Sequence, residues 1–323
     1  MKRLALFASV VFLAGCFNGI TLCPTNTGAP VEESVMHPAH SCLCCDKIAI
    51  IDVDGLILNA RTSCLLGDGE NPLSLFREKL EAAADDKHVK AVVLRINSPG
   101  GAVTASDIMY QDVLKFRHAT NKPVVACMMD VAASGGFYLA MAGDVVYAHP
   151  TTVTGSIGVI MKLYDASGLF AKIGLASNPI KSGPNKDIGN PGRPMTPAER
   201  AILQHMIDQF YCEFVHVVTE RRHLPEERVR ELADGRIYTG LEAKELGLVD
   251  RIGYLEDAIA TAMDLACLKD AKIVAYDRCD GYRGSIYAGL PKIPSEINVK
   301  LDVPGLGKSG AMFMYLWEPG TLP

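Results

Sequence analysis

The stretch "PVVACMMDVAASGGFYLAMAGD", Pro123–Asp144, joins one apolar run to a turn of small residues and then to a second apolar run. The first run, "PVVACMM", reads as a buried strand, and "GGFYLAMAGD" as a helix. Ser134 stands at their junction, with alanines before it and glycines after it. A serine there can cap the helix that follows. It can also be a nucleophile whose small neighbours let a substrate backbone come close.

Outward from this junction the same alternation continues. "KIAIIDVDGLIL" (Lys47–Leu58) reads as a buried strand, and Ser74–Asp86 as an amphipathic helix. "VKAVVLRI" (Val89–Ile96) is a second buried strand, broken by "NSPGG" (Asn97–Gly101), and a helix follows from about Thr104 to His118. Near-continuous β-branched runs separated by helices predict an α/β fold whose mainly parallel sheet is covered on both faces. "TPAE" at Thr196 and "TGLE" at Thr239 are capping boxes, the first with proline at the first helical position. Ile202, Met206, Phe210, Phe214 and Val217 recur at helical spacing, which predicts a long one-sided helix. Residues 280–323, rich in Pro and Gly, read as an extended arm lying over the surface or onto a neighbour.

The ends of the chain carry a different message. Of 323 residues nearly half are apolar, and the net charge of −5 gives bulk electrostatics no role in nucleic-acid binding. "MKRLALFASVVFLAGC" places two basic residues before an apolar stretch, Leu4–Cys16, that is too short to span a bilayer as a helix. It fits an export signal over residues 1–16. "LAGC" resembles the bacterial lipobox, which makes Cys16 a candidate lipidation site and puts the mature chain in the cell envelope. Residues 17–46 then read as a cysteine-rich tether, and 47–279 as the folded domain. His37, His40, Cys42, Cys44 and Cys45 cluster in "HPAHSCLCCDK", but their spacing matches no closed tetrahedral motif, so no metal is assigned. Cys127, Cys212 and Cys267 sit in apolar contexts and read as core fillers.

In parallel sheets, ligands sit beyond the carboxyl ends of the strands. Two such ends, "NSPGG" and "AASGG", carry glycine pairs whose amides can converge on an oxyanion without Cβ interference. A serine nucleophile needs a base. His149, Lys181 and Lys186 are the candidates. A lysine base near neutral pH needs its pKa lowered by roughly three units, about 4 kcal/mol. Asp187 opposes that at Lys186 unless an extended backbone turns it to the opposite face. These residues alone leave the base open.

Five ordered blocks narrow it. "NSPGG", "AASGGFYLA", "TGSIGVI", "KSGPNKDI" and "DGRIYTGLEAKELGLVD" together resemble the signal peptide peptidase A (protease IV) family, in its short single-repeat form, from about Lys47 to Ala275. The resemblance implies a Clp-protease/crotonase-like fold and peptide hydrolysis by a serine–lysine dyad, without a cofactor. Carried over position by position, it makes Ser134 the nucleophile, Lys186 the base and Ser156 the hydroxyl that orients the lysine. The Gly101 amide becomes an oxyanion donor, with Gly135 as the second. It further implies a ring-like homo-oligomer in which the base crosses a subunit boundary. The implied substrates are hydrophobic peptides, such as released signal peptides, met at a membrane surface. Two features depart from the family pattern: Asn185 stands where an aromatic residue is usual, and the cysteine-rich tether is foreign to it. An acyl-CoA enzyme of the crotonase type conflicts with export, and an inactive scaffold conflicts with the retained serine and lysine.

Overall fold

The structure, a computed structural model, describes residues 30–278 and 312–317, apart from positions 40, 42–44, 62, 65–66 and 69. The expected signal segment, Cys16, and most of the expected C-terminal arm therefore lie outside the described residues, as do His40, Cys42 and Cys44 of the cysteine cluster.

In chain order the strands are β1 (Glu32–His37), β2 (Lys47–Asp54), β3 (Ser63–Cys64), β4 (Gly67–Asp68), β5 (Val89–Ser98), β6 (Gly100–Ala102), β7 (Val124–Ala133), β8 (Val145–Ala148), β9 (Val153–Gly155), β10 (Ile237–Thr239), β11 (Arg251–Ile252), β12 (Lys272–Asp277) and β13 (Met314–Leu316). The helices are α1 (Pro72–Asp85), α2 (Val103–Thr120), α3 (Gly135–Ala140), α4 (Ser167–Lys172), α5 (Pro197–Arg222), α6 (Glu226–Leu232), α7 (Gly240–Glu245) and α8 (Leu255–Leu265).

The main sheet runs β1-β12-β2-β5-β7-β8-β11, with β9 added to β7 and β10 to β9. Its neighbours are parallel except β1 on β12 and β10 on β9. The expected α/β class and parallel sheet are what is found. Alternate residues explain the unbroken apolar runs. Ala49, Ile51 and Val53 of β2 enter the larger core with α1, α2, α3 and α5, whereas Ile48 and Ile50 enter the smaller core under α8. Both capping boxes form: Thr196 Oγ1 accepts the Glu199 amide at 3.2 Å, and Thr239 Oγ1 accepts the Glu242 amide at 3.2 Å.

Four readings need correction. Part of the expected tether is strand: β1 closes one sheet edge antiparallel to β12, with Met36 buried. The buried stripe of α5 is Leu203, Phe214, Val215, Val217 and Val218, and Ile202 is 42% exposed. Among the described residues the first half of that helix buries only Glu199 and Leu203, so periodicity overstates its burial. Cys127 is buried, but Cys212 and Cys267 are exposed. Finally, residues 314–316 of the expected arm do not lie over the surface. β13 pairs antiparallel with β6, and Tyr315 is 1% exposed.

What positions the site is the length of β7. Its first half pairs with β8 and its second half with β9, register Val131↔Val153 to Ala133↔Gly155. The strand thus runs past the centre of the sheet before it turns at Ser134.

Candidate active site

Ser134 has φ 52° and ψ −113° and is 1% exposed. A left-handed φ on a residue with a side chain costs of order 1–3 kcal/mol, so the surroundings must impose it. They do. The Ser134 N–H donates to the Gly155 carbonyl at 2.8 Å, and the Ser134 carbonyl accepts from the Tyr138 N–H at 2.8 Å, opening α3. The side chain makes no capping bond, and its buried Oγ has no partner. An unsatisfied buried hydroxyl is itself costly. Ser134 stands at the N-cap position, but its hydroxyl does not cap the helix.

The two glycine turns meet beside it. A Cβ built on Gly100, where φ is 101°, would lie 2.0 Å from the Tyr315 carbonyl oxygen and 2.6 Å from the Gly135 nitrogen. A Cβ on Gly135 would lie 3.2 Å from the Gly101 nitrogen. Only glycine permits this approach, and it brings the Gly101 and Gly135 amides to one place next to the serine. Ser156 follows the residue that accepts the Ser134 amide. It too has a left-handed φ, 50°, is buried, and donates its N–H to Arg236 O at 2.8 Å.

Lys186 lies elsewhere. Its side chain is exposed, and because Ser134 Oγ has no hydrogen-bond partner, this chain alone does not close a Ser134–Lys186 bond. The segment around it is not the expected extended backbone but a run of turns, with Lys186 N–H on Gly183 O at 3.2 Å and Ile188 N–H on Asn185 O at 3.2 Å. Asp187 is drawn away from Lys186 by other cations. Its carboxylate takes Lys181 Nζ at 2.7 Å and Arg193 at 2.8 and 3.0 Å. These pairs hold its pKa well below the usual carboxylate range, Arg193 first and Lys181 second. Arg193 also grips Glu199, a nearly buried residue in the first turn of α5. Lys181 is therefore spent on Asp187. Around this turn the arm is bare: α4 buries no residue, and Tyr164, Leu169, Ile173, Leu175 and Ile180 are all exposed.

His149 sits in the β8–β9 connection with its ring 5.1 Å from that of Tyr254, and its buried Nε2 is unpartnered. It makes no bond to Ser134. Among the described residues no group of three or more His, Cys, Asp or Glu could hold a metal, and no helix is long and apolar enough to cross a membrane.

Two residues around the site escaped the sequence reading. Arg193 carries no motif. Tyr315 lies in the short apolar run "FMYLW", whose pairing partner is more than two hundred residues away.

Comparison with known proteins agrees with the α/β fold. Residues 117–269 match the family described as Peptidase family S49, and residues 50–154 match Clp protease. Over 230 residues the chain is 36% identical to a protein of Enterococcus faecium named "Putative signal peptide peptidase SppA", covering 71% of this chain and 67% of the relative. It is 36% identical over 265 residues to the chloroplastic serine protease SPPA of Arabidopsis thaliana (81% and 39% covered). It is 33% identical over 253 residues to Protease 4 of Salmonella typhi (76% and 40% covered).

Proposed function

The chain belongs to peptidase family S49, a serine peptidase with a Clp protease-like domain, and from that premise we propose that Ser134 is the nucleophile and Lys186 the general base. The observation that carries this reading is the Ser134 hydroxyl: buried, held at a left-handed turn, unpartnered, and set beside two converging amides. Lys186 of one protomer takes the Ser134 proton of its partner. Ser134 Oγ then attacks the peptide carbonyl while the Gly101 and Gly135 amides hold the oxyanion. The lysine returns the proton to the leaving amine, and a water molecule releases the acyl group by the same route. Ser156, held beside Ser134 through Gly155, orients the lysine. Burial of Lys186 between two protomers would supply the desolvation that a lysine base needs, and the bare apolar arm that carries it supports such docking.

The substrates we infer are hydrophobic peptides, including cleaved signal peptides, in the cell envelope, with Cys16 lipidated to keep the enzyme at the membrane. A fluorophosphonate probe tests the nucleophile. It should label the wild-type protein at Ser134 and leave Ser134→Ala unlabelled, with both proteins melting cooperatively. Equal labelling of the two would remove Ser134 from the mechanism.

A further inference from the structure

The hydroxyl of Ser98 braces the turn that carries one of the two converging glycine amides. Ser98 ends β5 and is fully buried. Its Oγ donates to the Gly55 carbonyl at 2.6 Å and accepts the Gly100 N–H at 3.1 Å. A serine hydroxyl has one proton to give and lone pairs to receive with, so a single atom serves both bonds. It thereby ties the turn after β2 to the turn after β5. The Gly55 N–H closes the same link from the other side, donating to the Asn97 carbonyl at 3.0 Å.

That link fixes a direction. Two residues beyond Gly55, the Ile57 N–H donates to the Gly100 carbonyl at 2.9 Å, and the Ile57 carbonyl accepts the Ala102 N–H at 2.9 Å. The carbonyl of Gly100 and the N–H of Gly101 belong to one trans, planar peptide unit and point in opposite directions. With the Gly100 carbonyl turned to Ile57, the Gly101 N–H is turned away from it, to the side where Gly135 lies. A Cβ on Gly101 would sit 2.0 Å from the Ile57 carbonyl oxygen, so only glycine lets this brace lie so close. Ser98 also borders the helix of the second amide: a Cβ on Gly136 would lie 2.7 Å from the Ser98 carbonyl oxygen.

We propose that Ser98 is a positioning residue for hydrolysis: its hydroxyl, by fastening the Gly55–Ile57 segment to the Gly100 amide, aims the Gly101 N–H at the oxyanion. This rests on the assignment of Ser134 as nucleophile and Gly101 as oxyanion donor. Ser98 acts through the backbone of the turn. Without the hydroxyl the buried Gly100 N–H loses its acceptor and the Gly55 carbonyl its donor. The peptide unit between Gly100 and Gly101 is then free to rotate. Rotation weakens the hold on charge that develops in the transition state and leaves ground-state binding of a small ester unchanged.

The test uses the full chain, wild-type, Ser98→Ala, Ser98→Cys and Ser98→Thr, with a small apolar peptide ester, a fluorophosphonate and thermal melts. Ser98→Ala should lower kcat by about tenfold or more while KM stays within about twofold of the wild type. Its fluorophosphonate labelling should slow to a similar degree, yet the fraction of Ser134 labelled at completion should match the wild type. Ser98→Cys keeps a group of similar size that hydrogen-bonds weakly, and it should lose activity as Ser98→Ala does. It carries the test if Ser98→Ala fails to fold. Ser98→Thr restores the hydroxyl and should recover part of the lost kcat. Wild-type kcat and labelling rate in Ser98→Ala or Ser98→Cys would overturn the proposal. So would a loss confined to KM or to the labelled fraction, or a folded Ser98→Thr no more active than Ser98→Cys. A wild-type protein never labelled at Ser134 removes the nucleophile instead, which separates the two assignments.

Discussion

The Ser134 amide donates to the Gly155 carbonyl at 2.8 Å, which ties the turn after β7 to the turn after β9 and sets Ser134 beside Ser156. Both residues hold a left-handed φ that neither side chain favours. The pairing of β7 with β9 enforces them together, so half of the site is rigid in a single chain. The other half, around Lys186, is tied to α5 through the Arg193–Glu199 pair and to the segment before α4 through the Ala166 N–H on the Pro191 carbonyl at 2.8 Å.

That contrast makes Arg193 informative. It joins Asp187, next to Lys186, to Glu199 at the start of α5. If Lys186 is the base, as proposed, Arg193 is a positioning residue, since it reaches Lys186 only through the backbone of its turn. Arg193→Met should lower kcat by about tenfold or more, because small misplacements of a reacting group cost that much. KM for a small ester should hold, and Arg193→Lys should recover part of the loss. A kcat unchanged in Arg193→Met would show that the clamp has no part in placing the base.

Asp54 governs a pH dependence of stability. Burial, with Asp52 beside it as a second cause, pushes its pKa up to about 8, and neither carboxylate oxygen has a partner. Between about pH 4 and pH 8 the group is therefore protonated in the folded chain and ionised in the unfolded one. The folded state holds the extra proton, so its stability falls as pH rises through this window. Asp54→Asn lacks that loss. It should exceed the wild type in stability by roughly 1–3 kcal/mol more at pH 8 than at pH 5, read from denaturant melts. Parallel pH profiles for the two proteins would refute the assignment.

Anchoring at Cys16 makes a separate prediction. Intact-mass analysis of the membrane fraction should find a mature chain beginning at a lipidated Cys16, and Cys16→Ser should leave the signal uncleaved or the protein in the soluble fraction. A lipid-free mature chain beginning beyond residue 16 would contradict it.

Local patterns carried much of this protein legibly. β-branched runs marked β2, β5 and β7, because both faces of those strands are covered. Thr196 and Thr239 marked helix starts through bonds made within four residues. Ser134 was legible from its small neighbours, which the two glycine turns require. What stayed hidden depends on distant partners. Ile202 reads as core by period, yet it is 42% exposed among the described residues. Cys212 and Cys267 have apolar neighbours in sequence and solvent in space. β1 and β13 exist only because β12 and β6 offer edges far away in the chain. The turn at Lys186 follows from Asp187 pairing with Lys181 and Arg193, which no local rule anticipates.

The central claim, that Lys186 of one protomer serves Ser134 of its partner, is tested most directly by mixing two inactive proteins, Ser134→Ala and Lys186→Ala, after subunit exchange has been verified with labelled protomers. Mixed assemblies then contain sites in which an intact Ser134 meets an intact Lys186. The account predicts that hydrolysis of a small apolar peptide ester returns to a substantial fraction of wild-type turnover. A mixture that exchanges subunits and stays inactive would contradict it, as would full activity in Lys186→Ala alone.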